Sequence, residues 1–224
     1  MKTYIQYIKE TYKLDATVKF IDQIMKYKYE EAINTLNNEN PDIDKIIDDE
    51  DSILSHLIYI YTTEHDGDDF NKKLKKLIYL LIDKGSDVNG MDNNGNPLWY
   101  STFNNHLDIT KKLIENGANP NWVDKENKYT YLHNVFNIGN YDIAKYLIEN
   151  GAEMHQDRIG NYPFNHKNAF ELGADQGEDN LEIQELLIQK FPELVGKMEK
   201  EFKFYPELKA KYNDIFDSIE LGLF

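Results

Sequence analysis

Short apolar runs that end in a glycine recur along the middle of the chain. They are LIDKGSDVN at 81–89, LIENGANPN at 113–121 and LIENGAEMH at 147–155, with the glycines 32 and 34 residues apart. In each run an apolar pair closes a helical pattern, and the glycine can adopt the left-handed conformation that terminates a helix. The pattern therefore predicts three helices that end in the same kind of turn.

A second hydrophobic signal precedes each of these runs. It is clear in NPLWYS at 96–101 and TYLHNV at 130–135, and weaker in SILSHL at 52–57 and YPFNHK at 162–167. A polar cap followed by a short apolar segment opens a helix. A short helix before a second one, at a period in the thirties, predicts a repeat protein whose stacked helix pairs share a continuous core.

Together the two signals resemble the ankyrin repeat, whose phrase runs from T-P-L-H-x-A through G-H to L-L and G-A-D-V-N. The matching residues are Thr130, Leu132, His133, Gly139, Leu147, Gly151 and Ala152 in one copy, and Pro97, Leu98, His106, Leu113, Gly117, Ala118 and Asn121 in the copy before it. Trp99, Ser101, Tyr131 and Val135 depart from the phrase. The resemblance is strong over 81–164 and implies an all-α ankyrin-repeat solenoid of about four to five stacked helix pairs.

The flanking segments resemble degenerate repeats. Residues 30–44 match the second helix and turn of a first repeat, with Leu36 in the place of a helix leucine and Asn40 in the place of a turn glycine. We expect the extra length of the outer repeats to form enlarged loops at 62–71 and 171–180. Atypical ends are expected because a terminal repeat covers an apolar face without a further neighbour.

The predicted organisation is a single domain over 1–224. Its parts are a degenerate N-terminal repeat at 1–45, a repeat with an inserted loop at 46–91, repeats at 92–123 and 124–156, a repeat with an inserted loop at 157–194 whose last helix covers 181–194, and a C-terminal helical cap at 195–224. The apolar pairs Leu113, Ile114 and Leu147, Ile148 are assigned to the core between the helix pairs.

The charge balance is strongly acidic. The 224 residues include 40 Asp and Glu against 25 Lys and Arg, a formal net charge of −15, and no cysteine. An acidic surface repels phosphate backbones, so nucleic-acid binding is disfavoured, and disulfides and thiolate metal sites are excluded. No apolar run is long enough for a signal peptide or a membrane span, so we expect a soluble cytoplasmic protein, and a monomer.

Sequence motifs for catalysis are missing. The chain contains no H-E-x-x-H, no G-x-S-x-G and no phosphate-binding glycine loop. The resemblance places His133 at the family histidine that ties the turn to the helix, which is a structural role. The acidic stretch at 64–69 lacks a glycine-centred loop with a closing Glu at the right distance for calcium, which favours a solvated loop. We expect no enzyme activity, cofactor or metal; an enzyme that uses the acidic loops is the alternative.

The ankyrin resemblance implies a concave binding surface formed by the exposed sides of the first helices and by the projecting turns. Aligning the copies predicts the following partner-binding residues: Met91, Tyr100, Phe103, Asn104, Trp122, Val123, Lys125, Phe136, Asn137, Ile138, Arg158 and Ile159. Exposed aromatic residues among polar ones are typical anchors of protein interfaces. Trp122 has two interpretations, since it either anchors a partner or fills space left by small neighbours.

Acidic runs indicate the charge of the partner. The residues predicted to steer association are Asp48, Asp49, Glu50, Asp51, Asp66, Asp68 and Asp69. Such runs are commonly only solvated faces, but with the net charge they favour a basic protein partner.

The sequence therefore predicts a non-catalytic module that binds a basic protein. Small acidic proteins of this type, rich in Lys, Asn, Ile and Tyr, resemble bacterial ankyrin proteins, and some of those act as immunity proteins that occlude a toxin. The alternative is an ankyrin effector or scaffold that acts on the proteins of another cell.

Overall fold

A computed structural model describes residues 16–44, 46–47, 51–63, 67–90, 95–124, 129–154, 180–198 and 205–221. The chain divides into two compact units, residues 1–118 and residues 119–224. The described residues are almost wholly helical, with one pair of two-residue strands, which confirms the predicted all-α class.

The described residues of the first unit form three helix pairs. Its elements are α1 (Ala16–Met25), α2 (Tyr29–Asn38), β1 (Ile46–Ile47), β2 (Asp51–Ser52), α3 (Ile53–Thr63), α4 (Asp68–Asp83), α5 (Pro97–Phe103) and α6 (Leu107–Glu115). Helix α1 packs on α2, α3 on α4 and α5 on α6, and the pairs stack through α2 on α4, α3 on α5 and α4 on α6. Fully buried leucine, isoleucine and phenylalanine side chains such as Phe20, Leu57, Leu77 and Leu113 fill the layers between them.

The second unit contains six helices in its described residues. They are α7 (Tyr131–Asn137), α8 (Tyr141–Glu149), α9 (Leu181–Lys190), α10 (Pro192–Met198), α11 (Pro206–Lys211) and α12 (Asn213–Glu220). Helix α7 pairs with α8, α8 contacts α9, and the last three helices pack through α10 on α12 and α11 on α12. Leu208 of α11 and Phe216 of α12 are buried, so these two helices contribute to the apolar packing of the unit.

Glycines end the second helices as the sequence pattern predicts. Gly85, Gly117 and Gly151 have φ of +86°, +92° and +91°, and Asn40 takes the same role with φ of +47°. At Gly117 the backbone N–H donates to Ile114 O at 3.0 Å, and similar hydrogen bonds close the other glycine turns. These bonds satisfy helix carbonyls that would otherwise lack partners, so one local device sets the end of each repeat.

Polar side chains link each of these turns to the next within a unit. Each linking residue lies four positions after the turn residue. The bonds are Asp87 N to Asp44 Oδ1 at 2.7 Å, Asn89 Nδ2 to Gly117 O at 3.1 Å, Asn121 Nδ2 to Gly151 O at 2.9 Å and Glu153 N to Asn121 Oδ1 at 2.8 Å. The repeat period is therefore fixed by hydrogen bonds between turns as well as by helix packing.

One prediction about the outer repeats was wrong in part. Residues 62–63 belong to α3 and residues 68–71 to α4, so much of the predicted loop at 62–71 is helical. The extra length forms longer helices: α3 and α4 have 11 and 16 residues, whereas α7 and α8 have 7 and 9. Of the predicted loop at 171–180, all but Asn180 lies outside the described residues.

The predicted helix at 181–194 is divided in two. Helix α9 ends at Lys190 and α10 begins at Pro192, because a proline cannot supply the backbone N–H that would continue the first helix. One core assignment also needs correction. Leu113, Leu147 and Ile148 are buried as predicted, but Ile114 is only half-buried.

Candidate protein-interaction surface

Side-chain caps position the short helices that carry the predicted binding residues. Asn96 Oδ1 accepts a hydrogen bond from Trp99 N at 2.9 Å at the start of α5. At the start of α7, Thr130 Oγ1 accepts from His133 N at 3.4 Å, and His133 Nδ1 accepts from Thr130 N at 3.2 Å. His133 is 1% exposed, so its side chain has the structural role that the resemblance implies.

The first unit exposes a cluster of aromatic rings that we name the aromatic face. It consists of Tyr59 of α3 and Trp99, Tyr100 and Phe103 of α5. The Tyr59 and Tyr100 rings meet edge to face at 5.5 Å between centroids, and Trp99 stacks on Phe103 at 6.3 Å. Tyr59 and Phe103 are 49% and 51% exposed. Rings held by neighbouring rings lose little freedom on binding, which suits them as interface anchors.

The sequence prediction missed Tyr59, although a signal for it is present. Ser52 Oγ accepts from Ser55 N at 3.1 Å, so Ser52 caps α3 as Asn96 caps α5. Tyr59 lies seven residues after its cap, as Phe103 does. Alignment on the caps identifies Tyr59 as a surface position.

Two predicted surface residues are buried. Tyr100 is 8% exposed because Tyr59 packs against its ring, so Tyr100 supports the aromatic face and offers little surface of its own. Phe136 is fully buried because it continues the apolar stripe of Leu132 and Val135 on α7. The prediction that the Phe136 side chain is exposed on the binding surface is therefore wrong.

Other predicted residues keep some exposure. In the first unit Asn104 is half-buried, and its Nδ2 donates to Tyr100 O at 3.0 Å at the end of α5. In the second unit Asn137 is exposed and Ile138 is 40% exposed at the end of α7. These two residues lie at the exposed C-terminal end of α7, the first helix of its pair.

Before α7, the backbone segments at 123–124 and 129–130 pair with each other in antiparallel register. Val123 pairs with Thr130, and Asp124 N donates to Tyr129 O at 2.8 Å. Trp122 and Val123 are half-buried, and the Trp122 ring lies 5.8 Å from the Tyr131 ring. Trp122 therefore contributes part of its ring to packing and part to the surface, which combines the two interpretations. Met91, Lys125, Arg158 and Ile159 lie outside the described residues and stay predictions.

The acidic residues differ in their surroundings. Asp51 lies in β2, which pairs with β1 in antiparallel register, while Asp48, Asp49, Glu50 and Asp66 lie outside the described residues. The predicted loop residues Asp68 and Asp69 instead form the first turn of α4, where the helix dipole favours negative charge. Asp69 forms an ion pair with Lys73 at 2.6 Å.

A polar cluster joins α4 to α6 in the first unit. Tyr79 Oη donates to Asp108 Oδ2 at 2.9 Å, and Lys75 forms an ion pair with the same oxygen. Burial alone raises the pKa of Asp108, but the hydrogen bonds from Lys75 and Tyr79 outweigh it and hold the pKa below its ordinary value. Burial and the bond to Asp108 raise the pKa of Tyr79, so its hydroxyl stays a donor.

Stacked helix pairs, glycine turns and linking side chains define a protein built from helix-pair repeats. A family model described as ankyrin repeats, in three copies, matches residues 70–158. Residues 70–158 therefore carry ankyrin repeats. Ankyrin repeats are generally non-catalytic modules for binding other proteins, so this segment is a protein-interaction module.

Relatives with this repeat come from different sources. A protein of Acanthamoeba polyphaga mimivirus named for its ankyrin repeats is 35% identical over 96 residues, which is 43% of this chain and 23% of that protein. An ankyrin repeat protein of Variola virus is 33% identical over 117 residues, 50% of this chain and 20% of the relative. An ankyrin repeat-containing protein of Schizosaccharomyces pombe is 31% identical over 67 residues, 30% and 32% of the two chains.

The chain spans only about a tenth to a third of the length of these and similar relatives. Among the described residues, no helix has both the length and the apolar character needed to cross a bilayer. In the same parts of the chain, no three His, Asp or Glu side chains are grouped so that they could share a metal ion.

Proposed function

We propose that this protein binds a basic protein partner through exposed side chains of its short helices and turns, without catalysing a reaction. The observation that carries the proposal is the aromatic face of the first unit. Two half-exposed rings, Tyr59 and Phe103, lie against the neighbouring rings Tyr100 and Trp99, which hold them in place, and exposed aromatic side chains of this kind are typical anchors of protein interfaces. In the second unit we propose Trp122, Val123, Asn137 and Ile138 as partner-binding residues.

The charge of the chain supports a basic partner. The chain has 40 acidic and 25 basic residues, and this imbalance makes the surface potential negative. Several described acidic groups are already neutralised by lysines, as in the ion pairs of Asp22 with Lys26 and Asp69 with Lys73. The unneutralised charge is available to attract a basic protein before the two surfaces meet.

Affinity purification of the tagged protein from its own cells, with mass spectrometry, identifies the partner. We expect a protein with a high isoelectric point, and we expect Phe103→Ala to weaken its binding at least roughly tenfold. Met25→Ala is the matched control, because Met25 is also exposed, at 40%, but belongs to α1, which packs on α2, whereas the aromatic face belongs to α3 and α5. An acidic partner, or equal loss in both variants, would contradict the proposal.

The biological setting remains a prediction from the resemblance. Inhibition of a toxin by an immunity protein and action as an effector or scaffold on another cell's proteins both use a protein-binding surface. The identity of the captured partner separates them, since a toxin encoded beside this protein supports immunity and a protein of another organism supports an effector.

A further inference from the structure

A pocket of about 420 Å³ in the first unit shares no lining residue with the aromatic face. Its walls come from two connections, each joining the first helix of a pair to the second. The turn between α1 and α2 supplies two tyrosines, and the start of α4 supplies the rest. The lining residues are Tyr27, Tyr29, Gly67, Asp68, Asp69, Phe70 and Lys73.

Three aromatic rings form one wall of this pocket. The Tyr29 and Phe70 rings are 5.2 Å apart between centroids, and the Tyr27 ring lies 6.3 Å and 6.1 Å from them. Tyr29 is 2% exposed, whereas Tyr27 is 51% exposed. The two inner rings therefore hold the outer one as an accessible aromatic surface.

The backbone at Tyr27 is unusual for a side chain of this size. Tyr27 has φ of +56°, and every other described residue with positive φ is a glycine or an asparagine. Its N–H donates to Ile24 O at 2.9 Å, so Tyr27 ends α1 in the position that glycine takes in other turns. A bulky residue in a left-handed conformation is strained, and such strain is typical of binding sites.

Two carboxylates face the same space. Asp69 is paired with Lys73 at 2.6 Å, but Asp68 forms no ion pair or side-chain hydrogen bond with another described residue. The pocket thus has two negative charges against one positive charge, next to the faces of aromatic rings. Both features attract cations, because the carboxylates are negatively charged and the faces of aromatic rings carry partial negative charge.

We infer that this pocket binds a cationic side chain, a lysine or arginine, of the protein partner. The Tyr27 ring packs on the cation, and the Asp68 carboxylate neutralises it. An anion would be repelled by Asp68, and a purely apolar group would leave that carboxylate beside it without a partner. That the cation belongs to a protein rests on the proposed function, whereas the preference of the pocket for a cation does not.

The preference is measurable on the free protein with a matched pair of probes. N-acetyl-lysine N-methylamide carries the cation, and N-acetyl-norleucine N-methylamide has a similar chain without it. In ¹H–¹⁵N NMR titrations we expect the lysine probe to give saturable shifts of the Tyr27, Gly67 and Asp68 amides, and the norleucine probe to bind at least threefold more weakly. Equal binding of the two probes, or no saturable shift, overturns the inference.

Variants test the role of each group. Tyr27→Asn removes the ring, and asparagine tolerates the left-handed backbone. Tyr27→Asn and Asp68→Asn should each weaken binding of the lysine probe at least threefold, while Tyr27→Phe should bind it normally. Lys73→Gln should strengthen binding, because it removes the competing charge. Weaker binding in Lys73→Gln would identify an anion site and overturn the inference.

The captured partner provides the final test. Tyr27→Asn should lower its affinity at least threefold, independently of Phe103→Ala. If Phe103→Ala weakens the complex and Tyr27→Asn does not, the pocket is not a partner site although the proposed function stands. If neither variant weakens it, both proposals fail.

Discussion

Residues in the left-handed backbone conformation, with positive φ, lie where a helix ends and the chain turns. Gly117 is one of them, with φ of +92°, and a Cβ placed on it would meet no atom within 4 Å. Space therefore does not require glycine here, and only the backbone conformation does. Asn40 and Asn105, with φ of +47° and +59°, show that asparagine also serves in this fold.

At this scale we predict the effect of substituting Gly117. Gly117→Ala should destabilise the protein by about 1 kcal/mol or more, because alanine is strained at positive φ. Gly117→Asn should cost less, because asparagine tolerates that conformation. Chemical denaturation of both variants measures the difference, and equal stability of the alanine variant and the wild type would contradict the stated cause.

At the scale of helices, buried apolar layers and a few polar links stabilise the fold. Leu147 of α8 is fully buried. Leu147→Ala should therefore lower the free energy of unfolding by roughly 2 to 5 kcal/mol through the cavity it leaves. Leu181→Ala is the control, because Leu181 is 39% exposed and its loss should be small. Similar losses in the two variants would show that Leu147 does not lie in a packed layer.

The Asp108 cluster makes a second prediction about elements. Because the folded pKa of Asp108 is lowered, its contribution to stability is present above its ordinary pKa of 3.8 and is lost as the pH falls through the lowered value. Asp108→Asn should cost about 1 kcal/mol or less at pH 7, since the group is partly exposed and screened. The difference from wild type should vanish in acid.

Asp142→Asn is the matched control for this change. Asp142 is the second residue of α8 as Asp108 is of α6, so both face the same helix dipole. Asp142 forms no ion pair or side-chain hydrogen bond with another described residue. Thermal unfolding from pH 2 to pH 8 would contradict the role of the cluster if both variants follow one curve.

For the whole molecule, net charge is the property that acts at a distance. The acidic run Asp48, Asp49 and Asp51 adds to the net charge of −15. Changing these three to Asn should slow association with a basic partner and flatten its salt dependence, because exposed charges are screened beyond a Debye length of about 8 Å at physiological salt. Dissociation should change little. Stopped-flow association at several salt concentrations measures both, and an unchanged rate would make the run merely solubilising.

Charge pairing alters how much each acidic residue contributes to steering. Asp69 is paired with Lys73, so its substitution should change the association rate less than that of Asp68.

The division of the chain at residues 118 and 119 lies close to the predicted repeat boundary at 123 and 124. The assignment of all 224 residues to a single domain stays a prediction.

Local chemistry made much of the fold predictable. The three glycine turns, the Thr130 cap with His133 and the place of Asn40 depend on residues within one turn of each other, so their pattern in the sequence is sufficient. The same holds for the period of the repeat, because each copy contains its own helix ends.

Contacts between distant residues decided the rest. Tyr100 was predicted to be exposed, but Tyr59 of the neighbouring helix covers it, and the sequence alone does not show which rings meet. The bonds of Asp108 to Lys75 and Tyr79, and the three rings around the pocket at Tyr27, also join residues from separate helices. The ends of the helices closed by glycine turns follow from the sequence, because those ends are local. The side chains that remain available to a partner follow from tertiary packing, because burial depends on what the neighbouring helices place there.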